Sequence, residues 1–270
     1  MRLVLASIVA LASLIGLVAV SCSGGDASDS ANDPADGPAD ESMLVLEAGE
    51  SGVLLALGDS IAAGSGASDP ATTSYVALVA EAVRSTLDTD LTVESLATGG
   101  PTTQGLIDEQ LEPALTFLRQ GDVLLVTITI GGNDLSQYGA HEACIADPTD
   151  LECPLEDGLL EVEDHLDTIM SRLRETAPNV PIVIQLYPNL FSGTGHEFTR
   201  QAEAAFRLLN GVIVGVARSH DVLTADPRRA FDGRGQHLTH LLDDAPDAHP
   251  NDAGYQEIAA AFLEALGVAG

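Results

Sequence analysis

Four short runs, residues 53–57, 91–97, 123–130 and 182–187, are rich in apolar and β-branched residues. Such runs are expected of strands covered on both faces. A fifth, weaker run covers 222–225. Between them lie stretches whose apolar residues recur at helical spacing. Tyr75, Leu78, Val79, Ala82 and Val83 form one stripe; Leu159, Val162, Leu166, Ile169, Met170 and Leu173 form a second; Ala205, Leu208, Leu209, Val212 and Val216 form a third. Strands alternating with helices predict right-handed crossovers and a parallel sheet with helices on both sides. A last helix is predicted over 252–266, with Asn251 or Asp252 as N-cap just after Pro250. Residues 139–157 and 226–249 read as long irregular stretches. In such sheets ligands bind beyond the carboxyl ends of the strands, so these stretches are expected to line a site.

The ends of the chain do not share that pattern. Arg2 is followed by an uncharged apolar run over 3–20 and then by Ala19-Val20-Ser21-Cys22. A short basic start, an apolar run and small residues before a cleavage point describe an export signal better than a fold element. The tetrapeptide resembles a bacterial lipobox, in which the cysteine, here Cys22, is lipidated and becomes the first mature residue. The competing reading is an uncleaved anchor helix, because the run is at the lower edge of a membrane span. Both place the remainder outside the cytoplasm. Residues 23–51 turn to Asp, Ser, Gly, Ala and Pro, with eight acids and no base. Self-repelling charge with few large apolar groups cannot bury enough surface to offset ordering entropy, so this segment reads as a solvated tether. The expected organisation is a signal over 1–22, a tether over 23–51 and one folded domain over 52–270.

Composition narrows the partners. Forty-one acidic residues face eleven basic ones, all arginine, for a net charge of −30, and the folded part retains about −23 of it. Such a surface repels phosphate backbones and anionic head groups, which excludes nucleic acid and electrostatic membrane attachment and leaves the lipid anchor as the membrane contact. In an exported chain, Cys144 and Cys153, with Asp147-Pro148 turn chemistry between them, read as a disulfide closing a surface loop. Free buried thiols and a two-cysteine metal site are the alternatives. No cofactor is expected.

The candidate chemistry begins where the first strand ends, at Gly58-Asp59-Ser60-Ile61. A serine on a strand-to-helix turn stands at the carboxyl edge of the sheet, where a helix N-terminus favours developing negative charge. It is not the G-x-S-x-G elbow, because Ala62 stands where the second glycine belongs. Alone it reads as an Asp/Ser turn capping a helix. Three more segments change this: Ala97-Thr98-Gly99-Gly100-Pro101-Thr102-Thr103 after the second strand, Gly131-Gly132-Asn133-Asp134 after the third, and Asp247-Ala248-His249-Pro250 before the last helix. In a parallel sheet these converge on one edge.

The set, spanning about 54–260, resembles the SGNH hydrolases, the GDSL-type esterases and lipases. The resemblance implies a single three-layer α/β/α domain, SGNH/flavodoxin-like, with a mostly parallel five-stranded sheet. It also implies Ser60 as nucleophile and His249 as base, with the Ser60 and Gly100 backbone N–H groups and the Asn133 side-chain amide forming the oxyanion hole. The closing motif of the family is Asp-x-x-His, but Pro246 stands three residues before His249. Asp247 is the chosen orienting carboxylate, with Asp244 or a backbone carbonyl as alternatives. Ser95 stands where the second block often has Asn. Asp59 and Asp134 read as structural hydrogen-bonders. His237 and His240 lie i, i+3 like a metal pair, but a third ligand in register is missing. His141, His165, His196 and His220 read as surface residues.

The expected function is an exported, envelope-tethered, monomeric serine esterase. It would hydrolyse short-chain, lipid or acetylated-carbohydrate esters through an acyl-enzyme, and small soluble or carbohydrate esters are preferred over bulk triglyceride. An acyltransferase acting on a glycan and a non-catalytic envelope binding protein are the competing readings.

Overall fold

The structure, a computed structural model, describes residues 51–136, 154–195 and 198–268. The proposed signal, most of the tether, Cys22, Cys144, Cys153, His141 and His196 lie outside the described residues. Five strands, β1 (Gly52–Gly58), β2 (Leu91–Ser95), β3 (Val123–Thr129), β4 (Ile182–Gln185) and β5 (Leu223–Ala225), form one sheet in the order β2-β1-β3-β4-β5. Every neighbouring pair is parallel, in agreement with the sequence reading. All seven residues of β1, an interior strand of the sheet, are buried. Because successive strand residues point to opposite faces, this requires cover on both. The helices Tyr75–Leu87 and Asp252–Ala265 pack on each other, with Tyr75 and Phe262 stacked at 4.6 Å. The Leu155–Thr176 helix packs separately, against Phe198–Ser219 and against Glu112–Gln120.

Local chemistry sets the helix ends. Ser74 caps the Tyr75–Leu87 helix by accepting the Ala77 N–H, and Asp88 closes it in the left-handed conformation. Asn251 caps the last helix, its Oδ1 accepting the Gly254 N–H at 3.1 Å, as anticipated for one of the two candidates.

Three segments differ from expectation. Residues 103–120, to which no element is assigned above, are helical throughout: Thr103–Leu106, a π turn at Ile107–Leu111, then Glu112–Gln120. The π turn adds a residue just before Pro113, which has no N–H to give to the preceding turn, and so displaces Leu106 from the register of Leu111, Ala114, Leu115 and Leu118. Residues 155–157, read as part of an irregular stretch, are the first turn of the Leu155–Thr176 helix. The stretch 226–249 contains short helices at Arg228–Phe231 and Gly235–Leu238 and a two-stranded antiparallel ribbon, β6 (Thr239–His240) with β7 (Asp247–Pro250). A strand of two or four largely polar residues leaves no periodic signal.

Gly58, the last residue of β1, has φ +129°, and a Cβ there would lie 2.0 Å from the Thr129 carbonyl oxygen. Both the conformation and the approach require glycine. Gly58→Ala is expected to cost about 3 kcal/mol or more, lowering the melting temperature by roughly 6 °C or more in a domain of this size. A thermal melt within about 2 °C of wild type would show that the turn is not locked as described.

Candidate active site

β1 delivers its carboxyl end into the turn Asp59-Ser60-Ile61, and the Asp59 N–H donates to the Thr129 carbonyl at 2.8 Å, tying the turn to β3. Gln110, buried on the π turn, grips the same point from the other side. Its Oε1 accepts the Gly58 N–H at 2.8 Å and its Nε2 donates to the Gly58 carbonyl at 2.9 Å. The buried peptide edge that lacks a strand neighbour there is thereby satisfied. The sequence gives no sign of this role, since nothing local marks a glutamine as the partner of a residue 52 positions away.

The Ser60 hydroxyl lies 2.8 Å from His249 Nε2, and His249 Nδ1 lies 2.7 Å from Asp247 Oδ1. The same carboxylate oxygen accepts the His249 backbone N–H at 3.0 Å. Among the described residues, the carboxylate on Nδ1 is that of Asp247 and not that of Asp244. Partial burial raises the Asp247 carboxyl, but the His249 N–H and ring and the charges of His249 and His240 outweigh this and hold it below the usual range. A hydroxyl, an imidazole and a carboxylate in this chain can pass a proton from oxygen to nitrogen while the ring stays in one tautomer.

The loops after β2 and β3 are bonded to each other. Gly100 is exposed with φ +93°, a conformation that leaves its backbone open and favours glycine. Asn133 donates from Nδ2 to the Pro101 carbonyl at 2.9 Å, so one of its two amide hydrogens is spent on joining the second and third loops. Asp134 is buried behind it and accepts the Thr103 hydroxyl at 2.6 Å and the Thr103 N–H at 3.0 Å. Burial raises its carboxyl, with those bonds opposing. Thr103 also meets His165 Nδ1 at 3.0 Å. His165 is therefore a half-buried partner of the loop rather than a plain surface residue, and His220 is similarly held by Asp167 at 2.7 Å.

Asp59 is fully enclosed. Its Oδ1 accepts the Ile61 N–H at 2.9 Å and its Oδ2 accepts the Tyr187 hydroxyl at 2.5 Å. Burial pushes its carboxyl up to about 6, against the opposing pull of Tyr187, the Ile61 N–H and the His249 charge. Near neutral pH the ionised form is thus held at a cost of about 3 kcal/mol relative to the unfolded chain.

His237 and His240 do not converge as a metal pair, because the Gly235–Leu238 helix ends between them. Among the described residues no group of three or more His, Cys, Asp or Glu side chains is arranged to hold a metal. His240 clamps the site instead. Its Nε2 meets the Gly66 carbonyl and its Nδ1 meets Asp243, both at 2.7 Å. Asp252 accepts the Ser68 N–H and hydroxyl and the Thr73 hydroxyl, and Tyr255 donates to the Ser65 carbonyl. The segment after Ser60 is thereby bound to the segment that carries His249.

The sequence matches the model of the GDSL-like Lipase/Acylhydrolase family over residues 56–257. No curated protein sequence matches it. Among solved structures, the extracellular lipase of Streptomyces rimosus is 24% identical with a TM-score of 0.61, over 81% of this chain and 100% of that one. Phospholipase A1 of Streptomyces albidoflavus is 23% identical with a TM-score of 0.60, over 80% and 98%. A catalytic mutant of the acetylxylan esterase Axe2 of Geobacillus stearothermophilus is 20% identical with a TM-score of 0.61, over 83% and 98%. At these identities the likeness is one of fold.

Both nitrogens of His240 face acceptors, which favours the imidazolium. The Gly66 carbonyl, then Asp243, raise its pKa, with Asp247 and Asp252 also nearby. A folded value above the unfolded one, about 6.5, means that the clamp stabilises fully below that pH and is lost as pH rises through the raised value. The melting temperature of His240→Gln should therefore fall below wild type by most at about pH 6 or lower, with the gap closing at alkaline pH. Parallel melting curves across the range would show that the ring does not titrate as a clamp.

Proposed function

The chain belongs to the GDSL-like lipase/acylhydrolase family and is a carboxylic ester hydrolase, and from that premise we propose that it works as a serine esterase through an acyl-enzyme on Ser60. The observation that carries this reading is the unbroken relay from the Ser60 hydroxyl through His249 to Asp247, at 2.8 and 2.7 Å. His249 Nε2 takes the Ser60 proton as Oγ bonds to the ester carbonyl carbon. The carbonyl oxygen becomes an oxyanion, received by the Ser60 and Gly100 backbone N–H groups and by the Asn133 side-chain amide, whose second hydrogen is not used on Pro101. The tetrahedral species collapses, His249 returns the proton to the departing alkoxide, and the acyl group stays on Ser60. Water then attacks with the same base, releasing the acid and restoring the hydroxyl. Asp247 holds the ring in the tautomer that leaves Nε2 free to accept. No cofactor enters these steps.

Short or sugar-borne acyl esters suit the site better than bulk lipid. His249 and Asp247 side chains are 33% and 51% exposed, so the centre stands open to water, and the strongly acidic surface disfavours an anionic lipid interface. The acetylxylan esterase named above is one acyl-sugar hydrolase on this fold. Export rests on the leader over 1–22, tethering on lipidation of Cys22, and the Cys144–Cys153 disulfide on the oxidising compartment that export implies. Among the described residues, no helix is long and apolar enough to cross a membrane.

A serine-reactive alkyl phosphonate should label the protein at Ser60 and should not label Ser60→Ala. Equal labelling of the two, or none of either, removes the catalytic reading. Turnover of acetyl, butyryl and long-chain esters and of acetylated xylan fragments then ranks the substrate classes, with acetyl esters expected first. Asp247→Asn should lower kcat by orders of magnitude, roughly 10³- to 10⁴-fold, with the fold intact, whereas Asp244→Asn should stay near wild type. The reverse pattern would move the orienting role to Asp244.

A further inference from the structure

Tyr187, two residues beyond the end of β4, touches both sides of the proposed oxyanion hole. It is buried and fixed at its backbone, where Asn210 Oδ1 accepts its N–H at 2.8 Å and Asn210 Nδ2 donates to its carbonyl at 2.9 Å. Its ring lies parallel to that of Phe206, 5.9 Å away. The hydroxyl donates to Asp59, the residue before Ser60. The ring edge lies against Gly132, the residue before Asn133, so closely that a Cβ there would be 2.7 Å from Cε1 and 3.1 Å from Cζ. The atoms nearest the place of that Cβ are the carbon that bears the hydroxyl and its ring neighbour. A rigid six-membered ring does not let these two contacts drift apart.

We propose that Tyr187 is a positioning residue that sets the separation of the Ser60 and Asn133 oxyanion donors by bracing Asp59 through its hydroxyl and Gly132 through its ring edge. The proposal rests on the catalytic reading above. Donors to an oxyanion act within a window of a few tenths of an ångström, about 2.7–3.1 Å, so they need a supporting shell that fixes the loops they stand on. Asp59 transmits the brace. One carboxylate oxygen takes the Tyr187 hydroxyl and the other takes the Ile61 N–H, so the peptide on the far side of Ser60 is anchored to the same group. Protonation of Asp59 would turn one acceptor into a donor and release one of these two bonds. The groups that face Asp59 are Tyr187 and His249, with Tyr75 and Tyr255 also feeling its charge. Burial already raises the Asp59 carboxyl and the Tyr187 hydroxyl opposes that rise, so loss of the hydroxyl raises it further.

Tyr187→Phe keeps the ring beside Gly132 and removes the hydroxyl, and with it the bond to Asp59 and the interaction with the Gly132 backbone. With p-nitrophenyl acetate as the probe, kcat is expected to fall roughly 10- to 100-fold while KM stays within about two-fold, since a misplaced oxyanion donor is felt in the transition state and not in binding. Phosphonylation of Ser60 should slow in parallel, and the acidic limb of the kcat profile should move to higher pH. A merely structural tyrosine would move neither the kcat-to-KM split nor the acidic limb at a temperature well below the melt. Gly132→Ala is the second arm and does not depend on the first variant folding. The added methyl pushes on the same ring from the opposite side and should give the same loss of kcat with KM retained. Either variant at full kcat while folded overturns the proposal, as does a loss that merely tracks the folded fraction or leaves the pH profile of Tyr187→Phe unmoved. A wild type that the phosphonate does not label at Ser60 overturns the catalytic reading itself and this proposal with it. Labelled wild type with unimpaired Tyr187→Phe overturns this proposal alone.

Discussion

The hydrogen bond between the Ser60 hydroxyl and His249 Nε2 joins residues 189 positions apart, and much of the architecture is what is needed to make it. One partner follows β1, an interior strand of the sheet; the other sits on the ribbon just before the last helix. Neither segment can hold the geometry alone. The turn after β1 is fixed from three directions, by the β3 carbonyl at Thr129, by Gln110 on the π turn and by Tyr187 from beyond β4. The ribbon is fixed by His240, Asp252 and Tyr255, all of which reach to the segment 65–73 that follows Ser60. Loops carry reactive groups well when a rigid scaffold holds them, and here long-range bonds extend that scaffold into the loops.

These bonds are not chosen for stability. An ionised Asp59 in the interior disfavours folding near neutral pH, and a protein selected for stability alone would place an apolar residue there. The same applies to the polar chain across the carboxyl ends of β3 and β4. Thr129 Oγ1 lies 2.9 Å from the Tyr75 hydroxyl and donates to Gln185 at 3.1 Å, while Gln185 Nε2 lacks a partner among the described residues. Buried polar groups cost free energy in proportion to how incompletely they are satisfied. They cluster at the edge of the sheet where Ser60 stands, whereas most of the sheet interior is apolar. Local stability is given up where geometry matters most.

The parts legible in the sequence are those whose signal is local. β1, β3 and β4 can be read because burial on both faces writes a nearly continuous apolar run, whereas the edge strands β2 and β5, largely exposed or half-buried, are marked by their β-branched residues and their place between helices. Ser60, Gly100, Asn133 and His249 can be read because each stands in a short motif next to a strand end or a helix start. What stays hidden has a partner far along the chain. Gln110 and Tyr187 look locally like a polar interruption in a helix and the tail of a strand. Their importance lies in contacts 52 and 128 residues away, which one sequence does not display. The π turn at Ile107–Leu111 is hidden, because Leu106, which it buries, stands one place out of the helical stripe Ile107, Leu111, Ala114, Leu115 and Leu118. The partners of His240 are equally hidden. Its neighbour at i, i−3 looks like half of a metal pair, while its actual partners are a backbone carbonyl and a carboxylate.

The two-residue spacing of Asp247 and His249, unusual beside the Asp-x-x-His pattern, follows from the backbone that carries them. In an extended strand, side chains at i and i+2 project from the same face, and β7 runs from Asp247 to Pro250. The ribbon therefore presents the carboxylate and the imidazole side by side, where a turn or helix needs a spacing of three or four to do so. Asp247 Oδ1 can then accept both the backbone N–H and the ring Nδ1 of His249, a closed arrangement that Asp244, before the start of β7, has no strand geometry to reproduce. Pairing of His240 with Asp247 across the ribbon ties that strand conformation to the clamp on Gly66. The orientation of the imidazole and the docking of the loop after Ser60 are thus two consequences of one short stretch of β structure.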